Sequence, residues 1–269
     1  SMGRLADMFQ KSREEGRGAL MPFVVAGHPS IESLPTLLGG LEMAGADAIE
    51  IGIPFSDPIA DGPVIAAAMH EALVAGVTVE GVLETVARAR GGVQLPLIAM
   101  ASVSIVDRLG GPAFLDRLAD HGFDGLILPD ADLDATASIR DRAESLDLAF
   151  TTLIAPDTAT ERAARIAADA REFVYVLARR GLTGARTDAP DLTDRMTQLR
   201  ALTDLPLAAG FGISTADHVA AVLEHADGAI VGSALVGVMD QASAAGSDAV
   251  EAASGLVASM AASVARSVD

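Results

Sequence analysis

Two carboxylates stand out by their setting in the stretch "EIGIPFSDPIADGP", residues 50–63. Glu50 sits inside the apolar run "ADAIEIGIPF", where a charged side chain is normally excluded. Asp61 follows on a segment restricted by Pro58 and Pro63. A carboxylate near the end of a buried strand has its pKa raised by desolvation, which suits it to exchange a proton near neutral pH. The alternative is a buried glutamate paired with an arginine from a neighbouring strand, although no inward-facing arginine is evident. Asp61 fits either a second catalytic carboxylate or the N-cap of a helix starting near Pro63, since Asp before Gly-Pro is a good cap sequence. The local sequence leaves both open. Asp57, in "FSDP", fits a turn.

A second group of residues is glycine-rich and lies late in the chain: "RRGLTGARTD" (179–188), "GFGIST" (210–215) and "GSALV" (232–236). Small residues ahead of helix N-termini offer backbone N–H groups to an anion, so Gly212, Gly232 and Ser233, with Gly184 approaching from the first of these loops, are candidates for a phosphate seat. Ordinary strand-to-helix turns also use glycine, and each motif alone is weak. Three on adjacent loops favour phosphate. Phe23 and Phe211 lie near strand ends and could wall an aromatic pocket. Tyr175, the only tyrosine, alternates with Phe173 and Leu177 and fits either face of its strand. The five histidines are scattered without metal-ligand spacing, so no metal site is expected.

These groups need a scaffold, and composition bounds it. The 269 residues can bury a substantial core, and no linker or composition shift divides them. No apolar run approaches the roughly 20 residues that span a bilayer. The leading Ser-Met reads as a cloning remnant and no signal segment follows it, so a soluble, cytoplasmic protein without a membrane partner is expected. The absence of cysteine excludes disulfides, thiol catalysis and zinc–thiolate sites. A net charge of −18 argues against a nucleic-acid partner, which needs a basic surface. It does not exclude a small phosphorylated substrate held by backbone N–H groups.

Short apolar runs alternate with helix-length amphipathic stretches. The predicted strands cover 19–26, 47–53, 95–101, 123–129, 149–155, 173–178, 205–210 and 227–232. Such spacing implies βαβ units and a parallel sheet covered on both faces. Eight units match a single-domain (β/α)8 TIM barrel, with a doubly wound open sheet as the runner-up. The expected layout is an N-terminal helix or tail over 1–17, the barrel over 18–240 and a C-terminal helix over 241–269. A weak echo joins "AGADAIEIG", "HGFDGLILPD" and "EHADGAIVGS", each entering a strand through Asp-Ala or Asp-Gly. In a barrel, chemistry gathers at the C-terminal strand ends. Alternation sends Ala48, Glu50 and Gly52 inward and Ile49, Ile51 and Ile53 toward the helices.

The segments "ADAIEIGIPFSDPIADGP", "YVLARRGLTGAR", "AGFGIS" and "GAIVGSALV" together resemble the tryptophan synthase alpha chain family. The likeness runs from about residue 22 to 236. It implies a (β/α)8 barrel that cleaves indole-3-glycerol phosphate to indole and glyceraldehyde 3-phosphate, without a cofactor, in tryptophan biosynthesis. It also implies a beta chain as partner in an α2β2 heterotetramer. The resemblance makes Glu50 and Asp61 the catalytic carboxylates and assigns Tyr175 and Thr183 to their surroundings. Phe23, Leu153 and Phe211 fall around the indole, and Gly184, Gly212, Gly232 and Ser233 around the phosphate. Two loops depart from the family pattern. "MASVSIV" has Ala101 and Val103 where a Tyr-x-Asn element is usual, and "PDADLDA" keeps Asp130 but lacks the following proline.

The residue types support the same chemistry. Carbon–carbon cleavage can run through a lysine Schiff base, a metal-bound enolate, or proton transfer to the leaving carbon. Lys11 is the only lysine and lies near an N-terminus expected to be mobile, and no ligand cluster is visible. Carboxylate acid–base catalysis remains. Two other readings are a stand-alone lyase that releases indole without a beta chain, and a non-catalytic phosphate-binding barrel, which intact Glu50 and Asp61 disfavour.

Overall fold

The computed structural model describes residues 3–57, 62–177, 193–210 and 212–264. The chain opens with α1 (Arg4–Glu14), β1 (Ala19–Val25), α2 (Leu34–Ala44), β2 (Ile49–Gly52), α3 (Pro63–Val74) and α4 (Val79–Ala89). It continues through β3 (Leu97–Met100), α5 (Val103–Arg108), α6 (Pro112–Asp120), β4 (Gly125–Ile127), α7 (Ala137–Ser145), β5 (Ala149–Thr151) and β6 (Leu153–Ile154). Then follow α8 (Thr160–Asp169), β7 (Val174–Leu177), α9 (Thr193–Arg200), β8 (Leu207–Gly210) and α10 (Ala216–Leu223). The last elements are β9 (Gly228–Val231), α11 (Ser233–Ala244) and α12 (Ala249–Ala261).

The strands are parallel and ordered β5-β4-β3-β2-β1-β9-β8-β7-β6. Only Thr152 separates β5 from β6, so the two ends of this order meet and the sheet nearly closes into the expected barrel. The fifth predicted strand is therefore one strand broken in two. Thr151 supplies the reason: its hydroxyl donates to the Thr152 carbonyl at 2.8 Å and accepts the Tyr175 N–H at 3.5 Å. A side chain thus takes over hydrogen bonds that an unbroken ladder would make with main-chain groups.

Both faces of the sheet are covered, which is why β1 is buried throughout and reads as a continuous apolar run. Leu20, Val24, Ile49, Ile51 and Ile53 pack toward the helices, whereas Met21, Phe23, Val25, Ala48 and Ile98 fill the barrel. The predicted alternation about Glu50 holds. Tyr175 faces the interior, with Phe173 and Leu177.

The N-terminus differs from the mobile segment expected. It forms α1, whose Leu5 and Phe9 join the interior cluster, with Phe9 stacked on Phe173 at a centroid distance of 6.4 Å. The Glu172 carboxylate accepts the N–H groups of Gly3 and Ala6 at 3.0 and 3.1 Å, satisfying the start of that helix. Lys11 projects from α1 with 73% of its side chain exposed and is not inside the barrel. At the other end of the chain, α11 runs across the expected 240/241 boundary. The C-terminal helix proper is α12, capped by Asp248 and packed against α2 and α11.

The repeated Asp-Ala and Asp-Gly turns prove to be one device used three times. Asp47, Asp124 and Asp227 accept the backbone N–H of Leu20, Leu97 and Leu207 at 2.8, 2.9 and 2.9 Å. Each aspartate's own N–H returns to the carbonyl of the same leucine at 2.9, 2.7 and 2.9 Å. An arginine preceding the neighbouring strand pairs with each carboxylate: Arg17 with Asp47, Arg90 with Asp124, and Arg200 with Asp227. These locks fix the register of adjacent strands at the N-terminal end of the barrel, opposite the mouth where strands end.

Candidate active site

Glu50 is fully buried on β2 and points into the barrel. Its register partners are Phe23 on β1 and Ile98 on β3, both in the interior cluster, so apolar side chains flank it on either side. Neither carboxylate oxygen has a hydrogen-bond partner among the described residues. Among the described residues, no arginine from a neighbouring strand pairs with it. Burial alone pushes the Glu50 pKa well above the ordinary glutamate range. The group holds its proton where an exposed glutamate would be ionised, as a proton donor to a substrate carbon requires.

Phe23 ties this carboxylate to the far side of the mouth. A Cβ built on Gly52 would lie 2.6 Å from Phe23 Cζ, and one on Gly232 would lie 3.5 Å from its Cδ1. The ring thus stands between the ends of β2 and β9, and Gly52 is required for it to lie there. Leu153 and Tyr175 are register partners across β6 and β7, and Leu153 is half-buried against the interior cluster. The Tyr175 hydroxyl lies 2.8 Å from where a Gly210 Cβ would be.

Gly232 is the N-cap of α11 and Ser233 its first residue. The first turn of a helix carries N–H groups without intrahelical partners and the positive end of the dipole. Ser233 adds a buried hydroxyl with no hydrogen-bond partner among the described residues. Gly212 is buried after β8 but does not begin a helix. Ile213 and Ser214 separate it from Thr215, the N-cap of α10. Asp61, Thr183, Gly184 and Phe211 lie outside the described residues. The helix predicted to start near Pro63 does start there, with Gly62 in the N-cap position that the capping reading gave to Asp61.

Sequence reasoning missed the part played by α3. Ile65, Ala68 and Met69 belong to the interior cluster, so this helix covers the mouth. Ile65 Cδ1 lies 3.2 Å from the Gly232 Cβ position, and Met69 Cε lies 3.2 Å from that of Gly52. The available signal was "PVIAAAMHEALV", apolar on more than one face and so bound to be covered on more than one side. Among the described residues, no group of three or more His, Asp or Glu side chains could hold a metal ion. Also among them, no single helix is long and apolar enough to cross a membrane.

A parallel (β/α)8 barrel with one desolvated carboxylate among its inward-facing residues defines the class: a TIM-barrel enzyme. Comparison with known proteins narrows it. The family profile described as "Tryptophan synthase alpha chain" matches residues 9–265. The tryptophan synthase alpha chain of Chloroflexus aggregans is 45% identical over 237 residues, covering 87% of this chain and 89% of that one. The alpha chain of a Synechococcus strain is 42% identical over 250 residues, covering 92% and 93%. A solved tryptophan synthase structure from Mycobacterium tuberculosis superposes with a TM-score of 0.90 at 32% identity, over 99% of this chain and 100% of its own. The alpha subunit from Legionella pneumophila also gives 0.90 at 32%, covering 98% and 99%. The chain belongs to the tryptophan synthase alpha chain family. It is accordingly a carbon–carbon lyase of tryptophan biosynthesis, cleaving indole-3-glycerol phosphate to indole and glyceraldehyde 3-phosphate.

Proposed function

We propose that Glu50 and Asp61 divide the proton and charge work of this cleavage. A proton is delivered to indole C3, and the substrate becomes an iminium-like species with positive charge on the ring nitrogen. The Asp61 carboxylate accepts a hydrogen bond from the ring N–H and balances that charge. The bond from C3 to the glycerol carbon then breaks, its electron pair returns to the ring, and the adjacent hydroxyl loses its proton as it becomes the aldehyde. Glu50 manages protons at C3 and at that hydroxyl. The observation that carries this reading is the buried Glu50 carboxyl, with no hydrogen-bond partner among the described residues and its pKa raised by desolvation.

Phe23, Leu153 and Phe211 surround the indole in this reading, with Tyr175 and Thr183 beside the carboxylates. The phosphate sits on backbone N–H groups of Gly184, Gly212, Gly232 and Ser233. The buried Ser233 hydroxyl supports this seat as a further donor. The partner is a tryptophan synthase beta chain, in an α2β2 assembly that takes up the indole. Indole release from purified chain, with and without a beta chain, tests the reading together with a crystal soaked in glycerol 3-phosphate. Cleavage and density at the first turn of α11 are expected. No cleavage in either state, or density elsewhere, contradicts it.

A further inference from the structure

We propose that His28 is a positioning residue for the phosphate seat, clamping α3 to α11 from the loop that follows β1. The proposal rests on the reading of Gly232 and Ser233 given above. His28 is only 6% exposed, and its two ring nitrogens face two different helices. Nε2 lies 3.0 Å from Asp240 Oδ1 on α11, and Nδ1 lies 3.8 Å from Glu71 Oε2 on α3. The closer approach is not aligned as a hydrogen bond, so the attraction is chiefly electrostatic.

The backbone brings the ring to this point. Gly27 has φ of +91°, and a Cβ there would lie 2.6 Å from Val77 Cγ2 and 3.1 Å from Ala72 Cβ. The loop therefore passes directly over the end of α3, which only a glycine permits. The other end of α3 touches the seat itself through Ile65, 3.2 Å from the Gly232 Cβ position. The helices α3 and α11 are thus held together twice, by packing at Gly232 and by the contacts of His28 with Asp240 and Glu71. Because α11 begins at Ser233, any sliding of that helix displaces the N–H groups that receive the anion. The loop carrying His28 follows the strand carrying Phe23, so the clamp fixes both helices relative to a residue of the site.

The side chains of Asp240 and Glu71 are 55% and 71% exposed, so solvent weakens each attraction and the effect on binding is moderate. Calorimetric binding of glycerol 3-phosphate, together with kcat and KM for indole-3-glycerol phosphate, tests the clamp. The chains compared are the wild type, His28→Ala, His28→Gln, Asp240→Asn and the double variant His28→Ala/Asp240→Asn. His28→Ala and Asp240→Asn should each raise Kd and KM about fivefold, the scale an exposed ion pair supports, with kcat within about twofold. The double variant should be no worse than His28→Ala alone, and His28→Gln should recover part of the loss. Should His28→Ala fail to fold, the Gln and Asp240→Asn variants decide the matter. Unchanged Kd in the folded variants, even with a lowered Tm, overturns the proposal, as do additive effects in the double variant. If wild type does not bind glycerol 3-phosphate, or Gly232→Val binds it as tightly as wild type, the seat itself fails and the clamp with it.

Discussion

Phe23 and Glu50 are register partners on neighbouring strands, so ring and carboxyl enter the barrel side by side. With Ile98 on the other flank and α3 above, the carboxyl is desolvated, and no cation pairs with it among the described residues. A local packing arrangement thereby raises the pKa of this carboxyl.

The same arrangement costs stability, and the sign follows from linkage. The folded-state pKa of Glu50 is raised, so across the pH range from the ordinary glutamate value upward the folded chain binds more protons than the unfolded one. Stability from this group falls as pH rises through that range. Glu50→Gln, which stays neutral, should therefore raise Tm relative to wild type by a margin that grows with pH. Thermal melts from pH 5 to pH 9 check this, and a constant difference would mean that Glu50 is not protonated by burial.

Gly62, not Asp61, is the N-cap of α3, and Asp61→Asn tests the catalytic reading that remains. A helix cap tolerates the change, because Asn caps about as well as Asp. A carboxylate balancing charge on the indole nitrogen does not tolerate it, since a neutral amide offers no charge. The expected outcome is unchanged Tm with kcat lowered at least a hundredfold, read from melts and steady-state indole release.

The register locks give a contrasting phenotype. Asp227→Ala removes the acceptor for the Leu207 N–H and the partner of Arg200, at the end of the barrel away from the site. Denaturant unfolding should show a loss of about 1–3 kcal/mol. Asp227→Asn keeps the acceptor and should lose about 1 kcal/mol or less. In both, kcat of the folded protein should match wild type.

Much of this architecture was legible because it is encoded locally. Alternation about Glu50 put Ile49, Ile51 and Ile53 on the helix side and the carboxylate inside, and Gly62-Pro63 marked a helix start. What could not be read depends on partners distant in the chain. The break at Thr152 arises from the Thr151 side chain, which bonds the Thr152 carbonyl and the Tyr175 N–H of the next strand. The docking of α1 rests on Glu172 and Phe173, far from Gly3 and Phe9 in the sequence. The three aspartate turns showed as an echo, but their leucine and arginine partners could be assigned only in three dimensions.

The central claim is that the buried Glu50 carboxyl transfers the proton that allows the carbon–carbon bond to break. Single-turnover release of indole from indole-3-glycerol phosphate by Glu50→Gln tests it most directly, because the substitution keeps size and polarity and removes only the exchangeable acid. The account predicts a rate at least a thousandfold below wild type, with an unchanged circular dichroism spectrum and glycerol 3-phosphate still bound. A rate within tenfold of wild type would contradict it.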